Sequence, residues 1–171
     1  MEIKENMNDD GEINFKTLMN LEYLDQCISE SIRIFSPNPI LSKICTEEID
    51  LEINENQSTK IQPGMIVHIP CFSYHHDPEF YPDPEEFIPE RFDNGQAKKF
   101  SQQGQFIPFS DGPRICAGLR LAQMQCKASI FDIIKNFELK ACKQTQYPKY
   151  LSRSSPRYYL TGDIDIKFIP V

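Results

Sequence analysis

Phe109-Ser110-Asp111-Gly112-Pro113-Arg114-Ile115-Cys116-Ala117-Gly118 is the stretch whose reading decides the fold. It places one thiol at the end of a stiff loop and the start of a helix. Helix N-terminal amides and the helix dipole favour the thiolate, which is the form that ligates metal. Gly112 lets the backbone approach a flat ligand closely, and Pro113 stiffens the loop. Arg114 adds a permanent cation whose fork suits a carboxylate. Gly118 lets the new helix pack tightly against whatever Cys116 faces, and Phe109 shields the sulfur from water and touches it. One thiolate and one guanidinium aimed at one surface describe a site for a planar metal cofactor bearing acid groups.

FSDGPRICAG resembles the haem-binding signature of the cytochrome P-450 family, FxxGxRxCxG. Phe109, Gly112, Arg114, Cys116 and Gly118 match every fixed position, with Ser110 in place of the commoner glycine and Ala117 in place of a bulky aliphatic. Two further segments carry the resemblance. Glu30-Ser31-Ile32-Arg33 matches the family's ExxR, on a helix where i and i+3 side chains are neighbours. Pro89-Glu90-Arg91-Phe92 matches its PERF segment, and His75-His76-Asp77-Pro78 and Tyr81-Pro82-Asp83-Pro84 resemble its run-up to the meander. The resemblance runs from about Gly11 to Phe168, with microsomal, broad-specificity members the nearest in pattern.

The resemblance implies a mainly α fold with small β elements (α+β as a fragment), namely the C-terminal haem-binding half of the cytochrome P-450 fold. It implies haem b (iron protoporphyrin IX) as cofactor, Cys116 as axial ligand of the iron, and Arg114 and Lys43 as propionate anchors. Phe109, Gly112 and Gly118 would shape the cradle. Lys43 stands where related proteins usually carry arginine, so it keeps the charge and loses the fork. Glu30, Arg33 and Arg91 would form a buried network that does no chemistry. The implied activity is monooxygenation of a small apolar organic substrate, with electrons from an NADPH-dependent reductase docking near Arg120 and Lys127. The intact family member would sit on the cytoplasmic face of the endoplasmic reticulum membrane, held by an N-terminal anchor absent here. That anchor, most substrate-recognition loops and the long distal helix would lie upstream of Met1, while Ser154–Tyr158 would reach the substrate pocket. The alternative is a truncated, non-catalytic remnant that binds haem on an open face or acts only as an interaction module.

Composition sets the outer bounds. The chain has 171 residues, 40% hydrophobic and 25% charged, enough for one domain with a sizeable core. A mean hydropathy of -0.46 argues against a membrane protein, and no run approaches the roughly 18 apolar residues a spanning helix needs. The acidic start MEIKENMNDDGE reads as neither signal nor transit peptide. A net charge of -7 argues against a nucleic-acid partner. Charge is uneven, however: residues 1–30 hold eight acids against Lys4 and Lys16, while residues 119–143 are basic. The six cysteines form no CxxC and sit at no zinc-finger spacing, which points to reduced thiols, most of them buried as small hydrophobes.

Along the chain, residues 1–13 read as frayed. A helix over 14–35 is predicted, capped by Asn14 or Thr17, with Leu18, Leu21, Leu24, Ile28 and Ile32 inward. Short strands are expected within 36–69, near Leu41–Cys45, Ile49–Ile53 and Met65–Ile69. The proline-rich stretch 70–115 excludes long helices and reads as the meander and Cys-ligand loop. His75 and His76 read as surface or turn histidines, and Phe100–Phe109 as core filling. A second helix over 116–136 would turn Leu121, Met124, Ala128, Phe131 and Ile134 inward. Strands close the chain over 137–171, with Tyr158–Leu160 and Ile164–Ile169 forming a hairpin.

Overall fold

In the computed structural model, residues 2–145 and 165–171 are described. Helices α1 (Glu2–Glu5), α2 (Phe15–Met19), α3 (Glu22–Ile34) and α6 (Leu119–Asn136) meet at one apolar cluster. Between them come β1 (Leu41–Ile44), β2 (Ile49–Asn54), β3 (Gln57–Ile61), β4 (Ile66–Ile69), α4 (Cys71–His75) and α5 (Gln96–Gln102). The chain closes with β5 (Phe137–Ala141) and β6 (Ile166–Pro170). This mixture of helices and small antiparallel ribbons is the expected α+β arrangement.

The start of the chain is not frayed. Ile3 is buried with Leu18, Leu21, Leu24, Ile28 and Phe131 in the main apolar cluster. Glu2 explains the anchoring: its carboxylate accepts hydrogen bonds from the backbone N–H of Tyr23 at 3.0 Å and Leu24 at 2.9 Å. Those amides are orphan donors at the start of α3, whose N-cap, Leu21, has no capping side chain. A carboxylate from some twenty residues upstream therefore does the capping, and does so at the favourable end of the helix dipole.

The helix predicted over 14–35 is two helices. Asn14 caps α2, its side chain accepting from the Thr17 N–H at 2.9 Å. Asn20 and Leu21 then break the run before α3 restarts at Glu22. β1 pairs antiparallel with β4, putting Lys43 opposite Val67, and β2 pairs with β3 in an exposed hairpin. β3 carries no apolar alternation except its last residue, which is why the sequence pattern did not mark it.

From Asp77 the chain coils, through a 3-10 turn over Pro89–Gly95, around a second apolar cluster of Tyr81, Phe92 and Phe106, with Phe100 packed against it. Proline at five positions from Pro78 to Pro108 removes the amide donors a helix would need, so aromatic rings fill the space instead.

Helix α6 starts at Leu119, three residues later than predicted, and its inner face is rotated. Ile130, Phe131 and Ile134 pack inward, but Leu121 is 54% exposed and Ala128 also faces solvent. Lys127 takes the inner position instead and is fully buried. Its ammonium donates to Met19 O at 2.7 Å, Leu21 O at 3.3 Å and Asp25 Oδ2 at 2.7 Å. The break between α2 and α3 leaves Met19 O without a helical partner, and Lys127, one helix away, supplies a donor to it while adding a second donor to Leu21 O, which already accepts from the Asp25 N–H at 3.2 Å.

β5 pairs with β6 in register Phe137↔Pro170 to Ala141↔Ile166. Of the predicted hairpin, Tyr158–Leu160 and Ile164 lie outside the described residues, as does Ser154–Tyr158. All six cysteines are free, but only Cys71 is buried, and Cys116 and Cys126 are exposed.

Candidate functional site

The loop leading to Cys116 is held by its own backbone. Ser110 N–H donates to Ile107 O at 3.1 Å, Ile115 N–H to Gly112 O at 3.1 Å, and Cys116 N–H to Phe109 O at 2.9 Å. Two left-handed residues make these closures possible, Gly112 at φ +76° and Ser110 at φ +67°. The first is free of strain because glycine has no Cβ, whereas serine tolerates the conformation at some cost. Pro113 and Arg114 complete a 3-10 turn, and Leu119 N–H reaches back to Cys116 O at 3.3 Å.

This places the Cys116 thiol exposed, just ahead of α6. A Cβ built on Gly118 would sit 3.7 Å from Cys116 Sγ, so its absence leaves room beside the sulfur. Arg114 is exposed, and Lys43 reaches across from β1 to donate to Ser110 Oγ at 2.9 Å. Loop, thiol and both cations are thus brought together. A cavity of about 400 Å³ lies between α3, α5, the loop and α6, walled by Ile28, Ile32, Pro108, Phe109 and Ile115 among others. Cys116 is not among the residues that line it.

Behind the loop, Glu30, Arg33 and Arg91 meet. Arg33 grips Glu30 with two hydrogen bonds, Nε to Oε2 at 2.7 Å and Nη2 to Oε1 at 2.9 Å, with both side chains fully buried. Glu30 Oε1 also accepts from the Ile88 N–H at 3.0 Å. Arg91 Nε stands 3.3 Å from the same oxygen, an ion-pair distance with no hydrogen bond, while its Nη2 donates to Asp83 O at 2.7 Å. The Arg33 guanidinium lies over the Tyr81 ring, 5.1 Å from its centroid, and donates to His75 O at 2.7 Å.

Two sequence expectations are corrected. His75 is not at the surface: it is fully buried, and burial, with His76 and Arg33 nearby, pushes its imidazole down to about 4. Lys127, expected on a docking face with Arg120, is enclosed by Met19, Leu21 and Asp25, so only Arg120 of that pair is exposed. No local signal marks either residue, because their partners lie far away in sequence.

An α+β scaffold that presents an exposed thiol on a backbone-locked loop, beside a buried Glu–Arg network, is the class of protein that the fold and the loop define. The chain belongs to the cytochrome P450 family, whose family model matches residues 1–161. That is a family of haem- and iron-binding oxidoreductases with monooxygenase activity. Among its relatives, "Probable cytochrome P450 309a1" of Drosophila melanogaster is 36% identical over 98% of this chain and 32% of that protein. "Probable cytochrome P450 28a5" of the same species is 41% identical over 80% of this chain and 27% of that protein. "Cytochrome P450 3A9" of Rattus norvegicus is 38% identical over 81% of this chain and 26% of that protein. The chain therefore spans about a third of the length of the curated relatives it matches. Among the described residues no helix is long and apolar enough to cross a membrane.

Proposed function

We infer that this chain is the Cys-ligand part of a haem-dependent monooxygenase acting on a small apolar organic substrate, with the Cys116 thiolate as the iron ligand. The observation that carries this is the exposed Cys116 thiol on a loop locked by the Phe109 carbonyl, with a glycine beside the sulfur. The donor set fits haem b. Among the described residues no group of three His, Cys, Asp or Glu side chains is arranged to hold a metal ion. Cys116 therefore suits a metal that brings its other ligands with it.

When bound, haem would supply the iron chemistry of oxygen activation, and the Cys116 thiolate would be the residue that holds it and donates electron density to the iron. The chain's residues do the rest. The Phe109 carbonyl and the loop backbone hold Cys116 in one place. Gly118 lets a flat ring approach. Arg114 is suited to one propionate, and Lys43, one of whose three N–H donors goes to Ser110, is suited to a second. Electrons would come from an NADPH-dependent reductase. Its docking surface would use exposed Arg120 rather than buried Lys127. The intact protein would work at the cytoplasmic face of the endoplasmic reticulum membrane.

The test is a haem titration of the chain, read by the reduced carbon-monoxide difference spectrum, alongside Cys116→Ser. A thiolate-type Soret shift in the wild type that is lost in the variant is expected. No specific uptake by the folded chain, or the same spectrum in Cys116→Ser, would overturn the reading.

A further inference from the structure

Among the described residues, buried His75 links the Glu30–Arg33 network to the base of the Cys116 loop: its backbone carbonyl accepts from Arg33, and its side chain reaches Ser36 and the Ile107 amide. Its Nδ1 lies 2.6 Å from Ser36 Oγ, and its Nε2 faces the Ile107 N–H at 3.4 Å. The donors and acceptors admit one assignment. A backbone N–H can only donate, so Nε2 must carry a lone pair, and the ring proton must sit on Nδ1. Nδ1–H then donates to Ser36 Oγ, and the Ser36 hydroxyl donates onward to Arg33 O at 3.3 Å. Arg33 Nη1 closes the circuit by donating to His75 O at 2.7 Å. The Phe106 ring packs on the imidazole at 5.4 Å between centroids.

We propose that neutral, Nδ1-protonated His75 is a positioning residue for the thiolate loop, transmitting the placement of the Glu30–Arg33 network to Cys116 through the Ile107 amide. Ile107 O in turn receives the Ser110 N–H, and Phe109 O receives the Cys116 N–H. The imidazole thus holds the base of the loop whose tip carries the sulfur. An imidazolium could not serve, because both ring nitrogens would then donate and Nε2–H would point at Ile107 N–H. The low imidazole pKa agrees with that requirement. The purpose assigned here rests on Cys116 being the iron ligand; the geometry does not.

The first test needs no variant. The side-chain ¹⁵N shifts of His75 in the wild-type chain should report Nδ1–H with Nε2 unprotonated, and finding Nε2–H would overturn the proposal. The second compares His75→Phe, which keeps a ring and removes both nitrogens, with His75→Gln, whose side-chain oxygen can accept the Ile107 N–H. In His75→Phe, hydrogen exchange at Ile107 and Ser110 should rise about tenfold relative to β1–β4 amides, the scale of losing one buried hydrogen bond. The haem-loaded protein should also lose part of its thiolate-type carbon-monoxide absorption. His75→Gln should restore both readouts toward wild type. Unchanged exchange in a folded His75→Phe chain, or no rescue by glutamine, would overturn the proposal. Failure of the Cys116→Ser comparison would remove the ligand reading and leave these exchange and tautomer results standing.

Discussion

Lys127 Nζ lies 2.7 Å from Asp25 Oδ2, joining α6 to α3 across 102 residues of chain, with the lysine side chain 1% exposed and the aspartate 45%. The ammonium is solvated by protein: two carbonyls and one carboxylate replace water. This contact is a clamp between helices, and it removes a positive charge from the surface of α6.

Replacing Lys127 with methionine keeps the stem and deletes all three donors, leaving Met19 O and Leu21 O without them. A loss of about 2–4 kcal/mol is expected, below the full cost for a buried pair because Asp25 is half in water. Urea unfolding measures it. Asp25→Asn should cost less than half as much. If Lys127 served docking instead, Lys127→Met would weaken salt-dependent reductase binding and leave stability unchanged; the buried geometry predicts the opposite pattern, with Arg120→Gln altering the salt dependence.

Within the Glu30 network the three members should not be equivalent. Glu30 is fully buried between two guanidiniums, so Glu30→Ala strands two cations and should cost about 3–5 kcal/mol. Arg33→Ala should cost as much, since it also frees His75 O. Arg91→Ala should cost clearly less. Arg91 is at the edge of the network, and its Nε makes no hydrogen bond. Thermal or urea denaturation of the three variants ranks them, and an Arg91 variant that proves the most damaging contradicts this order.

The two glycines flanking Cys116 separate backbone strain from access to the sulfur. Gly112 has φ +76° with nothing within 4 Å of an added Cβ, so Gly112→Ala should cost about 1–2 kcal/mol through left-handed strain alone. Gly118 has φ -85°, and an added Cβ would meet Cys116 Sγ at an ordinary 3.7 Å. Gly118→Ala should leave the unfolding midpoint almost unchanged yet weaken haem uptake several-fold. A Gly118→Ala chain with wild-type haem affinity would show that the space beside the sulfur is not used.

The loop around Cys116 was legible in sequence because its closures are local: Ile107, Phe109, Ser110 and Gly112 bond within ten residues of the thiol. Glu30 and Arg33 were legible for the same reason, being one helical turn apart. Lys127, His75 and Glu2 were not. Their partners are, respectively, carbonyls at a helix break over a hundred residues away, an amide and a hydroxyl more than thirty residues distant, and the orphan amides of another helix. Residue type misled in each case. Lysine and glutamate read as solvated charge and histidine as a turn residue, whereas backbone groups left unpaired by the fold drew all three inward. The rotated face of α6 follows from this, since Lys127 occupies a position that hydrophobic periodicity assigns to a neighbour.

His75 makes stability depend on pH with a definite sign. Burial and the nearby charges of His76 and Arg33 push its imidazole down to about 4 in the folded chain, against an ordinary 6.5. Between those two values the unfolded chain binds a proton that the folded chain does not, so stability falls as pH drops from about 6.5 to 4 and the effect levels off below. A separation of this size corresponds to about 3 kcal/mol across the window. Carboxylates titrate in the same range, so the wild type must be compared with His75→Gln, in which they are unchanged and the imidazole is gone. The stability advantage of wild type over variant, taken from urea midpoints at pH 7, 5.5 and 4.5, should shrink steadily with acidification. A constant difference would mean that His75 titrates together in folded and unfolded chains. Because imidazolium also presents a donor to the Ile107 N–H, protection of the loop amides, taken relative to their intrinsic exchange at each pH, should fall in the wild type as pH approaches 4, while that of the glutamine variant stays level.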